Sequence, residues 1–224
     1  MESQKPKIAM YVKRPFGEKL NASFDFLKEN WKLLLKFITY LLLPLCLIQA
    51  LSLNGLMSGA LSISAIASST AMAASSSSLI AFGSYYGLYM FLYLIGIILL
   101  TSLVYGLIRT YNEREERLQG VTLGMLKPRL FRNIKRLLLM TGACILLVLF
   151  VGIFVGLLVA LTPFTLFLTI PFIIAFSVPL ALLAPIYLFE DITLMEAFKK
   201  TFRLGFATWG GVFLVSLLMG IIAN

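Results

Sequence analysis

Three charged residues stand where long uncharged stretches of the sequence end, and they are the residues best placed to do chemistry. Arg109 follows the uncharged stretch 37–108, and Glu190 and Asp191 follow the uncharged stretch 137–189. If the helices that carry them end side by side, the three could form a site for a cation or for a lipid headgroup. The alternative is that the helix ends only neutralise one another. The spacing leaves both interpretations open.

The side chains on which most enzymes depend are absent from the sequence. The chain has no histidine, which excludes His-ligated haem, His-based zinc and iron sites, and Ser-His-Asp triads. It also has no Walker-type loop, no Rossmann glycine pattern and no paired-cysteine metal motif. Cys46 and Cys144 are expected to be small apolar packing residues. The sequence therefore predicts no catalytic, cofactor-binding or metal site, and a protein that is not an enzyme.

The composition indicates that lipid is the main solvent of this chain. Hydrophobic residues make up 60% of it and charged residues 13%, whereas a soluble domain averages about half and about a quarter. A helix needs about 20 apolar residues to cross the hydrocarbon, so the uncharged stretches predict five spans. These runs are apolar on every side, which favours helices over barrel strands. We expect one all-α membrane domain, with spans at about residues 33–56, 79–108, 137–161, 164–189 and 208–224.

The basic residues predict the orientation of these spans. All 19 fall between Lys5 and Lys36, between Arg109 and Arg136, or between Lys199 and Arg203. With five spans, every one of them lies on the same side, which the positive-inside rule assigns to the cytoplasm together with the N-terminus. The basic residues flank spans and are not interleaved with stacking side chains, so nucleic acid is not expected. Anionic lipid headgroups are the expected counter-charge.

Amphipathic segments precede three of the predicted spans. Phe24, Leu27 and Trp31 share one helical face within residues 1–32, and Phe202 and Trp209 share one before the last span. A third segment is expected to start near Pro128. We predict that these helices lie on the inner membrane surface, with the five aromatic and leucine side chains as anchors. Aligning Trp31 with Trp209 also aligns Phe24 with Phe202, so the chain reads as a repeated unit of surface helix and transmembrane hairpin.

Smaller signals set further expectations about connections and packing. Residues 59–78 are rich in Ser and Ala and predict an external loop, with a partly helical re-entrant segment as the alternative. Thr193 and Glu196 have the spacing of a helix-capping box. Two glycine pairs predict close helix packing, namely Gly83 with Gly87 and Gly152 with Gly156. Three prolines in the fourth span predict bends that suit either a transporter site or ordinary packing, and they are Pro171, Pro179 and Pro185.

One stretch of the sequence resembles a known group of families. Pro185-Ile-Tyr-Leu-Phe-Glu190, followed by Glu196-Ala197-Phe198 and then Thr201, Leu204 and Trp209, is similar to a signature of uncharacterised six-span bacterial membrane-protein families. These families include relatives of the membrane domain attached to some glycerophosphodiester phosphodiesterases. The resemblance implies a fold and a bacterial inner membrane. It implies no catalytic residue, because the phosphodiesterase barrel is absent from this sequence.

Two classes of function follow from these observations. The first is a non-enzymatic membrane module that organises lipid or protein partners through its surface helices. The second is a transporter or lipid-handling permease, which the proline-rich fourth span and the repeat favour; an enzyme acting on lipid at the inner surface is a third. The repeat gives its last surface helix only one span. It therefore predicts either a sixth span beyond Asn224 or a five-span protein that dimerises or binds a membrane-protein partner.

Overall fold

The helices account for nearly all of the described chain. A computed structural model describes residues 7–9, 12, 14–68, 76–162 and 164–223, and no strand occurs in that part of the protein. The helices are α1 (Phe16–Ser68), α2 (Ser76–Glu113), α3 (Leu123–Leu161), α4 (Thr165–Leu180), α5 (Leu183–Phe189), α6 (Leu194–Ala207) and α7 (Trp209–Ala223). The predicted all-α fold is confirmed.

Within the described residues, four helical segments are long and apolar enough to cross a membrane. They are α1, α2, α3 and the combination of α4 with α5, and a fifth candidate is α6 with α7, which meet at a bend of 90°. The chain is a helical membrane protein. The last predicted span corresponds to α7, whose 15 residues measure about 22 Å along the helix axis. That length is short of the roughly 30 Å hydrocarbon core.

Two of the expected surface helices are not separate elements. The predicted helix before the first span is the beginning of α1, whose 53 residues run unbroken through Pro44 and measure about 80 Å. The second expected surface helix starts at Leu123, ahead of Pro128, and continues into the third span as α3. No helix-breaking residue separates the amphipathic segment from the apolar one in either case. Both segments therefore propagate as one helix.

The expected external loop is wrong for most of its length. Residues 59–68 belong to α1 and residues 76–78 to α2, while residues 69–75 lie outside the described residues. Alanine and leucine favour helix here. The nearby serines turn their hydroxyls onto the helix, as Ser58 Oγ does to Asn54 O at 3.2 Å and Ser64 Oγ to Leu61 O at 2.9 Å. A serine-rich segment can therefore stay helical.

The third amphipathic segment alone forms its own helix, α6. It begins with the predicted capping box, in which the Glu196 backbone N–H donates to Thr193 Oγ1 and the Thr193 N–H donates to the Glu196 carboxylate. It ends at Ala207, and at Thr208 the chain turns by 90° into α7. Gly210 and Gly211 follow the turn, and glycine pairs are common causes of helix kinks. Lys32 and Leu33 occupy the matching positions of α1, which continues.

Packing is concentrated at one end of the bundle. α1 and α2 are antiparallel, since Phe26 contacts Tyr111 with ring centroids 5.2 Å apart while Gly55 lies against Tyr85. We call the end near Tyr111 the basic end, because Arg109 and the first turns of α3 lie there. The largest buried cluster is at this end. α3 beyond Cys144 and α4 before Phe176 expose most of their large apolar side chains.

The fourth span is broken where α6 and α7 dock on it. α4 ends at Leu180 and α5 begins at Leu183. Pro179 has no N–H, so the Ala175 carbonyl loses its helical donor, and the Trp209 indole N–H donates to it instead at 3.1 Å. A Cβ atom on Gly205 would lie 2.6 Å from Pro179 Cα. The corner between α6 and α7 therefore fits closely against the break.

The predicted glycine pairs do not mediate close packing within the chain. A Cβ atom placed on Gly83, Gly87, Gly152 or Gly156 would meet no neighbouring element of the described chain within 4 Å. The close approaches occur instead at Gly205, beside Pro179, and at Gly55, beside the Tyr85 ring. The expectation of tight packing at these pairs is wrong within the described chain.

Candidate functional site

Four arginines from two helices converge at the basic end. Arg109 lies in the last turns of α2, and α3 contributes three arginines at spacings of three and four residues, which place them on one helical face. The four, which we call the arginine cluster, are Arg109, Arg129, Arg132 and Arg136. They meet the segment that follows α5, where Asp191 lies.

Two carboxylates are shared among the four guanidinium groups. Asp191 lies 2.9 Å from Arg136 Nη1, 3.6 Å from Arg109 Nη2 and 3.8 Å from Arg132 Nη1. Glu113 accepts from Arg109 Nε at 2.9 Å and also from Arg129 Nη2. The predicted proximity of Arg109 and Asp191 is therefore present in the structure, and positive charge exceeds negative charge around them.

The third predicted residue, Glu190, is directed elsewhere. Its carboxylate oxygens both lie 2.6 Å from Lys200 Nζ of α6, and no contact joins the Glu190 side chain to Arg109 in the described chain. Only its backbone carbonyl joins the cluster, accepting from Arg136 Nη2 at 3.1 Å. The structure thus brings together two of the three candidate residues and pairs the third with a separate lysine.

Arg136 fastens the connection between α5 and α6. Besides Asp191 and the Glu190 carbonyl, it donates to Ile192 O at 2.9 Å, and its guanidinium stands 4.2 Å from the centre of the Tyr187 ring. Its side chain is only 17% exposed. These contacts give Arg136 a positioning role, in which the planar guanidinium holds three hydrogen-bond partners at once and also packs on the Tyr187 ring.

Sequence reasoning missed the arginines of α3 and also Glu113. The helical spacing of Arg129, Arg132 and Arg136 was the available signal, because it places three cations on one face immediately before an apolar span. What the sequence could not supply was the partner of that face. The partner is the end of α2, where Ser102 Oγ donates to Leu130 O at 3.0 Å and fixes how α2 and α3 are aligned.

A cavity of about 280 Å³ opens between α2 and α3 beside the cluster. Its lining consists of Arg109, Glu113, Pro128, Arg129 and Arg132. Among the described residues, Arg109 Nη1 is buried without a hydrogen-bond partner, and Arg129 Nη1 donates to Thr110 Oγ1 at 3.0 Å. Three guanidinium groups against one carboxylate leave the cavity with a positive balance.

A second polar network links α1 to the connection after α2. Arg117, which has a positive φ of 58°, pairs with Glu29 at 2.6 Å, and the Tyr111 hydroxyl donates to the other Glu29 oxygen at 3.1 Å. The hydrogen bond to Glu29 raises the pKa of Arg117. The Ile8 N–H donates to the Tyr111 hydroxyl at 3.3 Å. This network joins three chain segments and has the character of a structural tie.

The predicted surface anchors occupy two different environments. Phe24, Leu27 and Trp31 are 42%, 49% and 55% exposed along one face of α1. Phe202 instead packs on Phe176 of α4 at 5.9 Å between ring centroids, and Trp209 makes its bond at the break in the fourth span. The first three are therefore free to meet lipid, whereas the last two also hold the protein together.

Comparison with known proteins identifies no relative of this chain. No family model, no curated protein and no solved structure matches the sequence. The resemblance to six-span bacterial families stays a prediction.

Proposed function

We propose that this protein is a non-enzymatic module of a bacterial inner membrane that binds anionic lipids and organises them at the cytoplasmic surface. The observation that carries the proposal is the arginine cluster at the basic end. Its members stand where apolar segments stop, since Arg109 follows the apolar stretch of α2 and Arg136 precedes that of α3. Arginines at that depth meet lipid headgroups.

The energetics support this assignment. Each Lys or Arg close to an anionic surface contributes about 1 kcal/mol of attraction, and arginine can contact a phosphate through two parallel hydrogen bonds. Trp31 is exposed about 7.5 Å along α1 from Phe26, the residue that contacts Tyr111. An exposed tryptophan at this depth suits the interfacial belt.

The geometry of α6 supports the same proposal. This helix meets α7 at 90°, so it lies along the membrane surface when α7 points into the bilayer. Lys199 and Arg203 lie on α6 beside the Phe202 face. A helix in this position can contact headgroups with its basic side and acyl chains with its aromatic side.

Lipid preference tests the proposal directly. The protein is reconstituted in bilayers of phosphatidylcholine with a spin-labelled phosphatidylglycerol or a spin-labelled phosphatidylcholine, and the motionally restricted fraction of each is measured. We expect a larger restricted fraction for phosphatidylglycerol, and a smaller difference at high salt, because salt screens exposed charges. Equal fractions for the two lipids at low salt would refute the proposal. Unchanged lipid masses after long incubation are expected of a protein without enzymatic activity.

The orientation has its own test. In a variant with Cys46 and Cys144 replaced by serine, single cysteines are introduced at Ser64, near the outer end of α1, and at Glu115, at the basic end. A membrane-impermeant maleimide added to intact cells is expected to label Ser64→Cys and to leave Glu115→Cys unlabelled until the cells are opened. The opposite pattern would place the basic end outside.

A lipid-handling permease is the second candidate, favoured by the break between α4 and α5. Broken helices line the sites of many transporters. Vesicles that contain the protein and a fluorescent phospholipid distinguish the two functions, since dithionite bleaches only the outer leaflet. Bleaching that stops at about half of the signal is expected for the organising module, and complete bleaching for a permease that moves lipid between leaflets.

A further inference from the structure

We infer that the cavity between α2 and α3 is a site for the phosphate of an anionic phospholipid, held by Arg109, Arg129 and Arg132. The inference rests on the proposed function and names the place where one lipid is bound. The cavity's volume of about 280 Å³ is near the lower limit of small-ligand pockets, which begin at about 300 Å³. It therefore suits a headgroup and not a whole lipid.

The donors that remain available point to an anion. Within the part of the chain that the structure describes, Arg132 has one ionic contact, at 3.8 Å to Asp191, and its side chain is 48% exposed. The Arg109 side chain is 26% exposed, and its Nη1, although buried, has no hydrogen-bond partner among the described residues. Arg136 also has one buried atom without a partner in the described chain, Nε, but both of its Nη atoms are engaged by Asp191 and backbone carbonyls, and it does not line the cavity. Arg132 can therefore turn to a ligand without dismantling the fold, and the accessible part of Arg109 lies beside it in the lining of the cavity.

Glu113 already occupies the site in the manner of an anion. One of its oxygens accepts from Arg109 Nε and the other from Arg129 Nη2. A phosphate that enters the cavity has the same charge-assisted geometry available to it and competes with this carboxylate for the two guanidinium groups. Glu113 thus sets the affinity of the site by occupying it in the absence of lipid.

The position of the cavity selects a lipid over a soluble phosphate. It lies at the ends of the apolar stretches of α2 and α3, where the bilayer presents headgroups at high local concentration. A lipid held there also keeps its acyl chains beside the exposed apolar surface of α3, beginning with Leu138 and Leu139. An inorganic phosphate gains only the ionic contacts.

Thermal unfolding in a neutral detergent measures binding at this site. A short-chain phosphatidylglycerol is titrated, with phosphatidylcholine of the same chain length and inorganic phosphate as parallel probes, and each variant is compared with its own lipid-free state. A ligand that binds the native state raises the unfolding temperature, and the rise grows with the logarithm of the ligand concentration relative to its Kd. We expect stabilisation by phosphatidylglycerol at concentrations where the other two have no effect.

Three variants locate the binding. Arg132→Gln is expected to weaken phosphatidylglycerol binding at least tenfold, which corresponds to about 1.4 kcal/mol. Arg114→Gln is the matched control, because Arg114 pairs with Glu116 outside the cavity and its removal lowers the net charge equally; it should retain wild-type affinity within about twofold. Glu113→Gln should bind more tightly than wild type, an effect that a purely structural ion pair would not produce.

The possible results separate the inference from the proposed function. Equal weakening by Arg132→Gln and Arg114→Gln, or weaker binding by Glu113→Gln, would overturn the cavity site while leaving a general preference for anionic lipid intact. Stabilisation by inorganic phosphate at the same concentrations as phosphatidylglycerol would overturn the lipid as ligand. A wild-type protein that does not respond to phosphatidylglycerol would remove the inference and the proposed function together.

Discussion

Replacing Gly205 with alanine tests the close contact between α6 and the broken fourth span. The added Cβ atom would lie 2.6 Å from both Cα and Cβ of Pro179. Carbon atoms in contact stand about 3.5 to 4.0 Å apart, so the shortfall is 3.5 minus 2.6, or about 0.9 Å. One neighbour is backbone of α4 and cannot rotate away. The two helices must therefore separate by about that distance.

The energetic cost follows from two opposing effects. Alanine is favoured over glycine inside a helix by about 1 kcal/mol, whereas overpacking a well-fitted contact costs about 1 to 3 kcal/mol. Gly152→Ala isolates the first effect, because an added Cβ at that position in α3 would meet no other described part of the protein within 4 Å. We expect Gly205→Ala to be less stable than Gly152→Ala by about 1 to 3 kcal/mol, with Gly152→Ala equal to or above wild type.

Reversible unfolding in mixed micelles, followed by tryptophan fluorescence as the fraction of a denaturing detergent is raised, gives this difference. Both variants are compared with wild type under identical conditions, and retained helicity in circular dichroism confirms that each starts folded. Equal midpoints for the two variants, or a more stable Gly205→Ala, would show that α6 does not depend on this contact and would refute the reasoning.

Three further changes probe the ties around the site and the break. Arg136→Lys should lower the free energy of unfolding by about 1.5 to 3 kcal/mol, because one ammonium cannot replace a guanidinium that holds a carboxylate and two carbonyls. The same micelle titration measures this change, and an unchanged midpoint would contradict the prediction. Thr193→Ala should cost about 1 kcal/mol as a lost N-cap. Hydrogen bonds from Thr193 lower the pKa of Glu196. The stability that they contribute is fully present above the ordinary carboxyl pKa and is lost as the pH falls through the lowered pKa of Glu196. The stability difference between wild type and Thr193→Ala should therefore shrink on acidification. Trp209→Phe should cost about 1 kcal/mol, and less in a Pro179→Ala background, where the new N–H serves the freed carbonyl; an equal cost in both backgrounds would rule this out.

The sequence predicted the class of fold because composition alone decides it. Uncharged stretches of sufficient length must be helical in lipid, and the capping box of α6 is a local signal that needs no tertiary partner. The separate surface helices were harder to predict, because the amphipathic patterns before α7 and at the start of α1 look alike. The two segments differ at the residues that follow them, which are Gly210 and Gly211 at the start of α7 and Lys32 and Leu33 within α1. The pattern specifies a face, whereas the residues at the junction specify whether the helix continues.

The site was predictable in part for a similar reason. Arg109 and Asp191 were found because each follows an apolar stretch, and the ends of spans at one membrane surface tend to meet. The same argument predicts Glu190 beside them. Glu190 precedes Asp191 by one residue, however, and its side chain is directed to Lys200 of α6 instead. The spacing of the glycines does not predict the contact between Gly205 and Pro179, because that contact depends on which helix docks on the break in the fourth span.

The uneven packing of the bundle determines where the free energy of its tertiary structure resides. In water-soluble proteins the best-packed layer is farthest from the solvent, but here the largest buried cluster lies at the basic end, and the halves of α3 and α4 away from that end expose most of their large side chains. Those halves keep their helical hydrogen bonds because lipid offers no competing donor. In amide exchange, protection in the halves away from the basic end therefore reports the absence of water from the bilayer, and protection at the basic end reports contacts between helices. Moving the protein from bilayer to a small detergent micelle should open the former while leaving the latter closed.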